Sequence, residues 1–152
     1  MPNSAAWCTS FKRELLAGIH ALGTTVVRAA TTKDTVKAAL YRDTANLGAG
    51  TTAYTASGEV ATAGGYVAGG IVVTNANEPA VGGTSAYWTP SASLVFSSLS
   101  TGGPVDAVLL YNASQANRSM GVFTFAPTTV VAGTLTLTMP VNDAANALLQ
   151  QN

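Results

Sequence analysis

The chain has 152 residues and only 14 charged side chains, seven basic and seven acidic, or 9 %. A soluble domain usually carries about 25 %, so Ser, Thr, Ala and Gly must cover most of the outside, which suits a subunit buried against other subunits better than a free monomer. Zero net charge and the absence of a dense Lys/Arg cluster argue against nucleic acid, no apolar run approaches the ~18 residues of a membrane span, and a lone Cys8 rules out an intrachain disulfide.

Charge is unevenly placed. Residues 1–42 carry six cations (Lys12, Arg13, Arg28, Lys33, Lys37, Arg42) against Glu14 and Asp34, net +4. Residues 43–152 carry Arg118 against Asp43, Glu59, Glu78, Asp106 and Asp143, net −4. Two readings stand: scatter in a small sample, or a basic foot that docks on an acidic surface such as a neighbouring subunit. Cys8 reads as a small buried hydrophobe. The stretch Lys12 to Ala30 is a poor signal peptide, because Glu14, His20 and two glycines interrupt it. The chain is therefore expected to begin near Met1 and to fold in a reducing cytoplasm.

In chain order, Trp7, Phe11, Leu15, Ile19 and Leu22 recur every three or four residues. This spacing predicts a short N-terminal helix over 7–22, with Thr9 or Ser10 as N-cap and Gly23 after its end. From residue 24 the pattern becomes short strands rich in Thr, Val, Tyr and Phe. The expected strands are 24–29, 34–41, 52–55, 69–75, 84–89, 93–98, 105–112, 118–126 and 130–138. Thr134 to Met139 alternates polar and apolar without a break. Glycine pairs at 64–65, 69–70, 82–83 and 102–103 mark turns. Residues 48–70 read as a long loop with one short strand near Tyr54, mobile when free and ordered by a partner. Asp143 to Leu149 reads as a short helical turn or a last edge strand. The fold class is all-β: an antiparallel β-sandwich, jelly-roll-like, with an N-terminal helical segment over 1–23 and a single β-sandwich domain over 24–152.

No constellation for catalysis emerges, and no cofactor or metal is expected. Gly48-Ala49-Gly50-Thr51-Thr52-Ala53 matches a loose dinucleotide pattern, but poor helix material follows it. Glu59, Glu78, Asp106 and Asp143 read as solvated turn or strand-end acids. His20, the single histidine, reads as a partly exposed helix residue, with no zinc-ligand spacing to Cys8. The acceptor patterns Asn112-Ala113-Ser114 and Asn117-Arg118-Ser119 read as polar loop residues between two strands. For the Tyr87–Trp88 pair, core packing of Trp88 leads, ahead of an interface anchor and a sugar platform.

The order of local patterns resembles a known family. Ser10-Phe-Lys-x-Glu-Leu15 runs on to Gly18-Ile19-His20, and Asp34 to Tyr41 reads Asp-Thr-Val-Lys-Ala-Ala-Leu-Tyr. Then follow Thr51 to Thr55, Gly58-Glu59-Val60, Gly65 to Gly70, Ala107 to Asn112, Asn117-Arg118, Thr134 to Leu137 and Asp143 to Ala147. Over nearly the whole chain this is similar to capsid cement (decoration) proteins of podovirus-like tailed bacteriophages. The resemblance implies a jelly-roll-like β-sandwich that binds the outside of a capsid shell as a homo-oligomer, dimer or trimer, made in the host cytoplasm. Its partners would be the major capsid protein and itself, with no direct contact to nucleic acid or membrane. The contact residues expected on this reading are Trp7, Phe11, Lys12 and Arg13 in the N-terminal segment, and Tyr54 and Tyr66 in the 48–70 loop. Deletion of residues 1–22 is then expected to leave a folded β body that no longer binds capsid. The competing readings are a tail or head-to-tail structural protein, and a receptor- or carbohydrate-binding module of a tail fibre.

Overall fold

The computed structural model describes residues 3–8, 10–11, 15, 18–24, 32–83 and 85–151. Among the described residues ten strands run in chain order: β1 (Ala6–Trp7), β2 (Val36–Arg42), β3 (Ile71–Val72), β4 (Ala80–Gly82), β5 (Ser85–Trp88), β6 (Leu94–Leu99), β7 (Val105–Asn112), β8 (Arg118–Thr128), β9 (Gly133–Leu137) and β10 (Leu149–Gln151). They form three sheets of order β1-β8-β7-β2-β3, β10-β5-β4 and β6-β9. All strand pairings are antiparallel, so the expected all-β, antiparallel character is present.

Strand β7 is the spine. All eight of its residues are buried, because it lies between β2 and β8 and its near-continuous apolar run Ala107–Tyr111 is covered on both faces. Asp106, in this strand, is 8 % exposed, and its Oδ1 accepts a 2.6 Å hydrogen bond from Asn3 Nδ2. The expectation of a solvated strand-end acid is therefore corrected: a carboxylate in a buried strand has to find a donor inside the protein. Strands β8 and β9 change character toward their shared turn. From Phe123 to Ala126, and along β9, half-buried and exposed residues alternate, as a strand with one wet face requires. Leu94, Val108, Phe123, Phe125, Leu137 and Met139 line a single cleft of about 250 Å³, which places β6 and β9 against the face of β7 and β8.

The N-terminal segment departs from the expected helix over 7–22. Trp7 pairs with Gly121 as part of β1, Gly18 is in a turn, and residues 19–22 are irregular. Ser10, Phe11 and Leu15 have helical backbone. The same spacing that reads as one helical stripe is used here by a strand, a helical stretch and a coil in succession, since tertiary contacts outweigh local propensity. Asn3 sets the entry: its Nδ2 also donates to Arg42 O at 3.0 Å, and its Oδ1 accepts from Leu47 N at 2.9 Å. Cys8, Phe11 and Leu22 belong to the same buried core as β2 and β7, and Cys8 is buried as expected.

The strand expected over 24–29 lies, apart from Thr24, outside the described residues. The 52–55 strand reduces to one bridge, Ala53 to Arg118. The 69–75 strand reduces to β3. Over 143–147 Asp143 caps a turn, its Oδ1 accepting from Ala145 N and Asn146 N at 2.9 and 2.7 Å, and the Asn146 side-chain amide, followed by these two backbone donors, holds its carboxyl below the usual carboxylate range. Strand β10 follows.

Candidate functional site

The 48–70 segment, expected to be a mobile loop, is built into the body. Arg42 N donates to Gly58 O at 2.9 Å and Val60 N to Leu40 O at 3.0 Å, which pairs the segment with β2. A bridge from Gly64 to Leu99 joins its far end to β6. Two glycines make this path possible. Gly58 has φ +81° and stands against Ala45, and Gly70 has φ +71° and sits so close to Ala38 that an added Cβ would lie 1.8 Å from the Ala38 carbonyl oxygen.

Glu59 holds the segment in place. Its Oε2 accepts from Tyr54 OH at 2.6 Å; its Oε1 accepts from Tyr66 OH at 2.7 Å and from Gly69 N at 2.6 Å. The Tyr66 hydroxyl in turn accepts from Leu40 N at 3.0 Å. Tyr111 OH donates to Gly69 O at 2.7 Å and Tyr41 OH to Thr55 O at 2.5 Å. The Tyr54 and Tyr111 rings stack at 4.9 Å. Two tyrosines thus bond Glu59 directly, and two more hold its segment through the Thr55 and Gly69 carbonyls. Glu59 is half-buried and fully engaged, which corrects its reading as a solvated turn acid. Burial, and then the hydrogen bond to Glu59, push the Tyr54 and Tyr66 phenols well above their ordinary value. Tyr41 and Tyr111 are pushed up by burial and then by the Glu59 charge, with the Thr55 carbonyl opposing at Tyr41. A phenol held protonated is a lasting donor and a poor general base, so this cluster acts as a clasp.

A second polar knot ties the N-terminal segment to the end of β7. Asn112, fully buried, donates from Nδ2 to Asp34 Oδ2 at 2.7 Å, and its Oδ1 accepts from Ser114 N at 3.1 Å. These two bonds orient the amide, so its nitrogen faces His20 Nδ1 at 3.0 Å. Nδ1 must therefore accept, which selects the neutral imidazole protonated at Nε2. His20 is 9 % exposed and packs edge-on against Phe11 at 4.8 Å. Its reading as a partly exposed helix residue is corrected, and so is that of Asn112 as a loop residue.

Of the expected contact residues, the structure brings two pairs together. Trp7 and Phe11 pack at 5.6 Å; Trp7 is half-buried while Phe11 is fully buried. Tyr54 and Tyr66 share Glu59; Tyr54 is half-buried and Tyr66 is 2 % exposed. Phe11 and Tyr66 therefore serve the core, and of the four only Trp7 and Tyr54 reach the surface. Lys12 and Arg13 lie outside the described residues. Trp88 is buried, with its Nε1 donating to Asn77 O at 3.3 Å, which fits core packing and leaves no exposed ring for a sugar. Trp7, Phe11, Tyr87 and Trp88, with His20 and Leu149, line an apolar pocket of about 260 Å³.

The charge-poor outside expected from the composition takes a definite place in the fold. Between Glu78 and Asp143 the only charged residues are Asp106 and Arg118, and Asp106 is buried. Apart from buried β7, the strands from β4 to β10 thus present mainly Ser, Thr, Ala and Val to the outside. Val81, Val95, Val131 and Val141 are exposed there, at 79, 47, 80 and 67 %. Comparison of the chain with protein-family models, with curated proteins and with solved structures finds no match.

Proposed function

We propose that this chain is a non-enzymatic structural protein of a phage virion that binds the outer surface of the capsid and stabilises the shell as a cement protein. The observation that carries the reading is the nearly uncharged outside of β4 to β10, dotted with exposed valines. Exposing such a surface costs hydrophobic free energy that burial against a neighbour recovers, at about 25 cal/mol per Å² of apolar area. Isolated apolar residues on a surface are ordinary, but an uncharged tract spanning several strands is the composition of an interface centre, from which charge is depleted. The resemblance in the order of sequence patterns supplies the partner: the major capsid protein, with the jelly-roll-like sandwich as the finer form of the all-β fold.

On this reading the chemistry is mechanical. The Glu59 clasp and the Asn112 knot keep the long connections rigid, so that binding spends little free energy on ordering them. A homo-oligomer adds avidity through several simultaneous contacts. Trp7 and Tyr54, half-exposed aromatics, are the anchors to test first. The experiment is co-sedimentation of the purified chain with capsid shells that lack it. Saturable binding at a fixed ratio to the shell subunit supports the proposal. A folded protein that stays in the supernatant at all ratios refutes it.

A further inference from the structure

The facing sheets are closed on one side and open on the other. On the closed side, the Glu59 segment bridges from β2, at Tyr41, to β6, at Leu99. On the open side, among the described residues, β9 pairs only with β6, and β8 beyond Val122 pairs only with β7. Between these two strands runs the cleft of about 250 Å³ in which Phe123, Phe125, Leu137 and Met139 are half-buried.

An unpaired strand edge is a template for another strand, and proteins usually blunt it with charge, proline or brevity. The edge of β8 is blunted by Pro127. Strands β1, β3, β4 and β10 are two or three residues long. Strand β9 has none of these devices. It is five residues long, contains neither proline nor charge, and lies in a run from Ser119 to Asn142 that holds no charged residue at all.

We infer that the β9 edge is a self-association surface, on which a second copy of this chain docks by antiparallel β9–β9 pairing to make one continuous sheet β6-β9-β9-β6. The occupant follows from the strand itself. A two-fold axis beside Leu135 sets Thr134 opposite the partner copy's Thr136, because an antiparallel pair centred on one residue keeps the alternation in phase. Exposed Thr134 and Thr136 then form a threonine ladder on the wet face, a favoured cross-strand pairing, and continue the row begun by Val95, which is already opposite Thr136. On the inner face Leu135 meets its counterpart and Leu137 lies opposite the partner copy's Gly133, where the second copy also covers the cleft. No like charges oppose the approach, and the contact is isologous, so it closes as a dimer.

The contact stands apart from the capsid reading and is tested without shells. Sedimentation velocity over a concentration series should show a monomer–dimer equilibrium for the wild type. The double variant Thr134→Lys/Thr136→Lys puts lysine opposite lysine twice; since both threonines are exposed, it should keep the wild-type circular dichroism while its dimer constant weakens by at least about tenfold. Mixing it with Thr134→Glu/Thr136→Glu should restore a dimer, because each lysine then faces a glutamate across the axis. A wild type that stays monomeric throughout, a dimer unmoved by the lysines in a folded variant, or a mixture that fails to reassociate overturns the inference.

Discussion

Replacing Glu59 by alanine should cost about 3–4 kcal/mol of unfolding free energy. Two of the three groups that the carboxylate accepts are buried: the Tyr66 hydroxyl and the Gly69 amide. Each, left without an acceptor, loses about 1–3 kcal/mol. The third donor, Tyr54, is half-exposed and can turn its hydroxyl to water, so it adds little. Glu59→Gln keeps one oxygen for Tyr66 and Gly69 and should cost about 1–2 kcal/mol, the charge-assisted part of those bonds. Urea unfolding followed by tyrosine and tryptophan fluorescence reads both variants. With a slope near 2 kcal/mol per M, the alanine variant should unfold about 1.5–2 M earlier than wild type. Hydrogen exchange adds the location: amides of 59–70 should lose protection ahead of those in β7. An alanine variant within about 0.5 kcal/mol of wild type, or protection lost evenly over the chain, would refute the clasp.

The same clasp sets an alkaline limit. The phenol pKa values of Tyr41, Tyr54, Tyr66 and Tyr111 are raised in the folded state. The stability this contributes is fully present below the unfolded value, about 10, and is lost as pH rises from there toward the folded values. Unfolding free energy should therefore fall steeply above about pH 10, and the fall should shrink in Tyr66→Phe; a flat profile to pH 11 contradicts it. Gly70→Ala, which forces a Cβ against the Ala38 carbonyl at positive φ, should destabilise by more than about 2 kcal/mol in the same urea assay. Asn112→Ala removes the donor that serves His20 and Asp34 and should cost about 2–3 kcal/mol, with exchange rising first around residues 18–22. Deleting residues 1–22 removes Phe11 from the core and the Asn3 donor from buried Asp106; the remainder should lose its cooperative thermal transition, rather than persist as the folded body expected from the sequence.

Strands β7, β8 and β9 were legible because their patterns are local: a continuous apolar run for the central strand, alternation for strands with one wet face. Strand β1 was not, since its two residues are a strand only by lying along β8. The Glu59 clasp was half visible. Tyr54 and Tyr66 flank a lone acid in a glycine-rich stretch, and aromatic hydroxyls in such a stretch are a signal for a packed loop. What sequence withheld is the long-range geometry, the approach of Tyr111 and Gly69 across 42 residues. Phe11 and Tyr66 show the converse: an aromatic in a segment that reads as exposed is taken for an anchor, while the fold buries its ring in the core. The uncharged tract from β4 to β10 was countable from the sequence, but only the strand pairing shows which edges it leaves open, that of β9 among them.

The central claim, that this chain reinforces a shell, is tested most directly by heating DNA-filled capsids with and without it and recording the temperature of DNA release. The account predicts a release temperature that climbs with the amount bound and saturates with it. Binding that leaves the release temperature unchanged would contradict cementing, even for a protein that sits on the capsid.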